Sequence, residues 1–125
     1  MVEGQRFPRS CRLTTQADYA AVFACRRVLR GRTLMLHLGE PRPVDSPVSS
    51  ARLGLVVAKK FLKRAAGRNV LKRLIREQFR RTRASLPPRD LVFRLMGKLD
   101  KPKSRADKAA LAEEIHGLLL RVQSQ

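Results

Sequence analysis

Residues 52–95 read RLGLVVAKKFLKRAAGRNVLKRLIREQFRRTRASLPPRDLVFRL, and this stretch decides the fold. Arg52-Leu53-Gly54-Leu55-Val56-Val57-Ala58 is apolar enough for a central strand. A basic turn follows over Lys59 to Gly67. Asn69 to Ala84 is then the clearest helix of the chain. At about 100° per residue, Val70, Leu71, Leu74, Ile75 and Phe79 fall on one face. Asn69, Lys72, Arg73, Arg76, Arg80 and Arg83 gather on the opposite face. Pro87-Pro88 stops the helix, and Leu91-Val92-Phe93-Arg94-Leu95 reads as a further strand. The stretch is thus a βαβ unit, whose crossover general connection rules make right-handed.

Upstream, Phe7-Pro8-Arg9 reads as extended. Thr14 or Thr15 can cap a helix over Gln16 to Arg26, which spaces Tyr19, Val22 and Phe23 helically. Gly31 ends that region. Thr33 to Leu38 reads as a strand, and Gly39 to Ser50, with Pro41, Pro43 and Pro47, as an exposed loop. Downstream, Lys98 to Arg105 is a charged connection. Asp107 to Val122 is an amphipathic helix with Leu111, Ile115, Leu118 and Leu119 on its apolar side. The order is αββαβα, which predicts an α+β fold, a two-layer α/β sandwich. With 125 residues and no repeats, residues 1–125 are expected to form one domain.

Charge points to the partner. The formal net charge is +18, and residues 59–83 hold 11 basic residues against the single acid Glu77. Cations three and four apart on a helix repel by a few tenths of a kcal/mol per pair. Such a face makes sense where phosphates line up against it and counterions are released. Nucleic acid is therefore the expected polyanion, with an anionic membrane surface second. Aromatic residues make up 5% and there is no Trp, which argues against extensive base-stacking platforms. Tyr19 and Phe23, four apart, suit core packing or stacking on unpaired bases. His37 and His116 have no metal partner at useful spacing.

Several function classes are excluded. Cys11 and Cys25 cannot frame a disulfide scaffold or a four-ligand zinc site, and so few thiols fit a reducing cytoplasm. No apolar run approaches the ~18 residues of a membrane span, and no signal peptide is visible. The ten acids are scattered, with no paired carboxylates for a metal-dependent nuclease. There is no Gly-rich phosphate loop and no nucleophile motif.

The residues also carry a resemblance. Leu55-Val56-Val57-Ala58-Lys59-Lys60, followed by Lys63-Arg64-Ala65-Ala66-Gly67-Arg68-Asn69-Val70-Leu71-Lys72-Arg73-Leu74-Ile75-Arg76-Glu77, closely resembles the bacterial ribonuclease P protein subunit family. Its hallmark is Arg-Asn, then Lys-Arg, then Arg-Glu, after a strand ending in Lys-Lys. The likeness extends through Asp18-Tyr19, Val22-Phe23 and Leu34 to Leu38, then to Pro87 and Asp90, and covers roughly residues 7–95. After Phe93 the chain departs from it, reading Arg94-Leu95-Met96-Gly97-Lys98.

The resemblance implies 5′ maturation of precursor tRNA, with the active site and its Mg²⁺ on a catalytic RNA. It implies that Arg64, Arg68, Asn69, Lys72, Arg73 and Arg76, with Arg80 on the same face, meet that RNA. It implies that Tyr19, Phe23 and His37, with Lys59 and Lys60 beside them, meet the 5′ leader. It also implies a ribosomal-protein-like fold with a left-handed crossover, against the general rule. The partners implied are ribonuclease P RNA and precursor tRNA, with no membrane and no obligate protein partner. The alternative is a general or ribosomal RNA-binding protein without an enzyme partner.

Overall fold

A computed structural model describes residues 11–43, 45 and 50–124. The expected extended segment at Phe7 to Arg9 and part of the Pro-rich loop lie outside these residues. The elements are α1 (Gln16–Ala24), β1 (Arg27–Arg30), β2 (Leu34–Leu38), β3 (Arg52–Val56), α2 (Ala65–Thr82), β4 (Asp90–Leu95) and α3 (Arg105–Gln123), with a 3-10 turn at Arg83–Ser85. One mixed sheet has the order β1-β2-β4-β3. β1 is antiparallel to β2, β2 is antiparallel to β4, and β3 is parallel to β4. The parallel pair is the βαβ unit read from residues 52–95, with α2 as its connection.

Strand alternation assigns the two sheet faces. Leu34, Leu36 and Leu38, with Leu53 and with Leu91, Phe93 and Leu95, enter the main core. There they meet Leu71, Ile75 and Phe79 of α2 and Leu111, Ile115, Leu118, Leu119 and Val122 of α3. The opposite face carries a smaller cluster, in which Val92 packs with Leu13 and Val22, flanked by Tyr19, Phe23 and Val56. Sheet and two helices thus make the expected two layers, and α1 lies across the other face. Every residue of β2 is buried, because both faces of that strand are covered.

Four features differ from the sequence expectation. First, a fourth strand, β1, stands where the tail of the first helix and its connection were expected. Thr15 caps α1 by accepting from the Asp18 N–H, but the helix ends at Ala24. Arg26 then takes φ 55°, which turns the chain into β1 within two residues. Second, α2 begins at Ala65 rather than Asn69. Gly67 sits in its first turn because a Cβ there would stand 3.0 Å from Leu62 Cδ1. Third, α2 stops at Thr82, whose hydroxyl donates to the Gln78 carbonyl, before the 3-10 turn. Fourth, α3 starts at Arg105, two residues early. Ser104 and Asp107 form a reciprocal capping box there.

Carboxylates lock the elements together. Glu114 of α3 accepts from the backbone N–H groups of Thr33 and Leu34, both at 2.8 Å, and so fixes the β1–β2 turn. Asp90 accepts from Arg42 Nη1 at 2.6 Å and from Arg52 Nε and Nη2 at 2.9 and 2.8 Å. Arg52 also reaches Asp18 of α1 at 3.6 Å. Burial opposes ionisation of Asp90, but the bonds from Arg52 and then Arg42 outweigh it and hold its pKa below the usual carboxylate value.

Candidate nucleic-acid interface

The outer side of α2 carries the cationic stripe. Its inner side is fixed by burial of Leu71, Ile75 and Phe79, so the intervening residues must face out. Asn69, Arg73, Arg76, Glu77 and Arg80 line one shallow groove along the helix. Asn69, Arg73 and Arg76 are exposed, Lys72 and Arg80 half-buried. Glu77 pairs with Arg80 at 2.6 Å and Arg81 at 3.0 Å. Among the described residues no acid pairs with Lys72, Arg73 or Arg76. Their charges are therefore not offset by a neighbouring carboxylate.

Two of the predicted contacts have local duties as well. Arg68 Nη1 donates to the carbonyls of Leu62 and Lys63 at 3.0 and 2.6 Å, which staples the turn entering α2. Arg64 is the exposed N-cap residue of α2, and its side chain makes no capping bond. The first backbone N–H groups of α2 therefore add to the positive end of the helix rather than being neutralised.

The second predicted group lies on the other sheet face. Tyr19 and Phe23 are half-buried and His37 is 9% exposed. The Phe23 and His37 rings meet edge-on, with centroids 4.8 Å apart and planes at 87°. The Tyr19 hydroxyl accepts from the Leu55 N–H at 3.2 Å. Its ring lies against Gly54, where a Cβ would come within 2.7 Å of Tyr19 Cε1. The absence of a side chain at residue 54 is what lets α1 sit this close to the sheet. Burial, then the charges of Arg94 and Arg30, hold the His37 pKa below its usual value, and its Nε2 is buried without a hydrogen-bond partner.

Lys59 and Lys60 are exposed in the turn between β3 and α2. Lys60 Nζ lies 5.0 Å from the centroid of the neighbouring Phe61 ring. Among the described residues Lys59 and Lys60 make no hydrogen bond or cation–ring contact with Tyr19, Phe23 or His37. The structure thus assembles the α2 stripe and the Tyr19–Phe23–His37 group, each on its own side of the sheet. Sequence reading missed Arg30 and Arg94, both exposed and both on the α1 side by strand alternation. The available signal was Arg94 itself, an outward charge inside the apolar run Leu91 to Leu95.

Comparison with known proteins bears on what this pair of surfaces serves. The family model described as Ribonuclease P matches residues 7–123, nearly the whole chain. The chain belongs to the ribonuclease P protein family. It is 46% identical over 111 residues to the ribonuclease P protein component of Azoarcus sp. (strain BH72), covering 89% of this chain and 85% of that one. The corresponding protein of Aromatoleum aromaticum is 43% identical over 115 residues, covering 92% and 89%. The structure of the RNase P protein from Thermotoga maritima superposes with a TM-score of 0.71 at 30% identity, covering 89% and 96%. That from Staphylococcus aureus gives 0.64 at 21% identity, covering 91% and 93%, and shares the fold. Family membership makes the chain a subunit of the ribonuclease P endoribonuclease and displaces the reading of a general RNA-binding protein. No helix among the described residues is long and apolar enough to cross a membrane.

Proposed function

We propose that this ribonuclease P protein uses its two surfaces for two RNAs. The α2 stripe of Asn69, Lys72, Arg73, Arg76 and Arg80, with Arg64 and Arg68 at the helix start, binds ribonuclease P RNA. The α1 and sheet face, with Tyr19, Phe23 and His37, holds the 5′ leader of precursor tRNA, and Lys59 and Lys60 add charge at the end of β3. The observation that carries this reading is the run of unpaired cations along α2, in a family whose catalytic partner is RNA. Helical spacing sets these cations along one line, which suits successive phosphates, and Arg forks give paired donors to each.

The protein's contribution is electrostatic and positional. It brings concentrated positive charge between two polyanions, so the assembly needs less Mg²⁺ than the RNA alone. Among the described residues no three metal-ligating side chains converge. Asp90, Glu77, Glu114 and Asp107 are committed to arginines or backbone N–H groups. Mg²⁺ sits on the RNA subunit, as the family resemblance implies, and this chain's own residues bind and position RNA. Photo-crosslinking tests the division. A crosslinking amino acid replacing Arg73 should capture ribonuclease P RNA, and one replacing Phe23 should capture leader nucleotides. Capture of the same RNA segment from both positions would overturn the two-surface reading.

A further inference from the structure

The sheet face beside α1 is only partly covered, and strand register places its outward residues in rows. Val28, His37, Val92 and Gly54 lie abreast across β1, β2, β4 and β3. One row further along, Arg30, Met35, Arg94 and Val56 lie abreast. α1 packs over the first row through Val22, Phe23 and Tyr19. In the second row Met35 is buried, while Arg30 and Arg94 on either side of it are exposed. Two strand spacings put their Cα atoms about 10 Å apart, and the two rows are separated by about 7 Å.

Nothing in the fold calls for two guanidinium groups there. Among the described residues neither side chain meets an acid or makes a hydrogen bond. Two exposed like charges about 10 Å apart on one sheet face do not stabilise each other. Both arginines lie near enough to His37 to disfavour its charged form, and His37 Nε2 is a buried polar atom with no partner. The face thus holds two outward forks of donors beside the aromatic group, with no acidic side chain paired to them among the described residues.

We propose that Arg30 and Arg94 grip the phosphodiester backbone of a single RNA strand, one sheet row beyond Tyr19, Phe23 and His37, and so fix the path of that strand. The proposal rests on the reading of this face as the leader surface. The aromatic group would hold bases, which any leader supplies, and the arginine pair would hold phosphates at a fixed distance from them. Contact is then set by position along the leader and not by its sequence.

The test uses holoenzyme reconstituted from this chain and a bacterial ribonuclease P RNA. Precursor tRNAs each carry one neutral methylphosphonate linkage at successive leader positions, and affinity is measured for each. The wild-type protein should lose affinity at one or two adjacent linkages. In the Arg30→Ala/Arg94→Ala protein that dip should vanish. Its affinity should also depend less on salt, by about 1.4 units of log K against log salt for two single-strand contacts. Between 50 and 200 mM salt this is about sevenfold less loss than the wild type shows. The Arg30→Lys/Arg94→Lys protein keeps the charge and should keep most of the salt dependence. If the double-alanine profile still shows the wild-type dip, the arginine proposal fails and the leader reading stands. If the wild-type profile is flat and Phe23→Ala leaves leader affinity unchanged, the leader reading fails, and this proposal with it.

Discussion

Replacing Asp90 with Asn should loosen the joint that holds α1, β3 and β4 in register. Asp90 receives three guanidinium hydrogen bonds, from Arg42 and from both donors of the Arg52 fork, and its side chain is 14% exposed. Breaking a fully buried pair by removing one partner costs about 3–5 kcal/mol. Here the Arg42 and Arg52 side chains are 15% and 23% exposed, so water recovers part of that loss. Asn keeps one accepting oxygen, and Asp18 at 3.6 Å still faces Arg52. A cost of about 2–3 kcal/mol follows. Unfolding entropy near 2.1 cal/mol/K per residue gives about 0.26 kcal/mol/K for 125 residues. The midpoint should therefore fall by about 8–11 °C.

Thermal unfolding followed by circular dichroism measures this, and pH supplies the sign. The pKa of Asp90 is lower in the folded chain than its ordinary 3.8. Its stabilisation is therefore fully present above pH 3.8 and is lost as pH falls through the lower folded value. The gap between wild type and Asp90→Asn should hold from neutral pH down to the ordinary carboxylate range and close only below it. A midpoint within about 2 °C of wild type at neutral pH would refute the reasoning. So would a gap that closes between pH 6 and 5, a range in which Asp90 does not titrate.

Three further outcomes are expected. Lys72→Ala/Arg73→Ala/Arg76→Ala should leave the fold intact and lower the salt slope for ribonuclease P RNA binding by about 2–3 units, read from binding isotherms at several salt concentrations. Tyr19→Phe removes the acceptor of the Leu55 N–H but keeps the ring. It should cost about 0.5–1.5 kcal/mol in denaturant unfolding and retain leader discrimination, which Tyr19→Ala should lose. The depressed pKa of His37 means that its contribution to stability is full above 6.5 and declines as pH falls below that value. His37→Phe should therefore flatten the stability profile between pH 7 and 5, with unfolding midpoints as the readout.

The parts of the fold with strong local periodicity were legible in the sequence. β3, α2 and β4 follow from two apolar runs around a helix whose Leu71, Ile75 and Phe79 repeat at its own period, and all three are buried. β1 was not legible. It has four residues with Arg at both ends and one buried side chain, Leu29, and the turn before it uses a non-glycine residue at positive φ. The start of α2 was hidden because it has no side-chain cap and carries Gly67 in its first turn. The α2 stripe needed only periodicity and charge. The meeting of Tyr19 with Gly54, of Phe23 with His37, and of Asp90 with Arg42 and Arg52 joins residues far apart in sequence, which no local pattern encodes. Arg30 and Arg94 fall in one row only once β1 is known to pair with β2. The expectation of a left-handed crossover rests on the family resemblance alone, since the general rule favours the other hand.

The central claim is that this chain lends charge and position to a reaction carried out on RNA. Precursor-tRNA cleavage at low Mg²⁺ tests it, with a bacterial ribonuclease P RNA alone, with this protein alone, and with both together. The account predicts release of the 5′ leader only when both are present. It predicts that Lys72→Ala/Arg73→Ala/Arg76→Ala removes that gain at low protein concentration, and that raised Mg²⁺ restores cleavage by the RNA alone. Cleavage by the protein alone, or full low-Mg²⁺ activity from the triple variant at the same concentration, would contradict it.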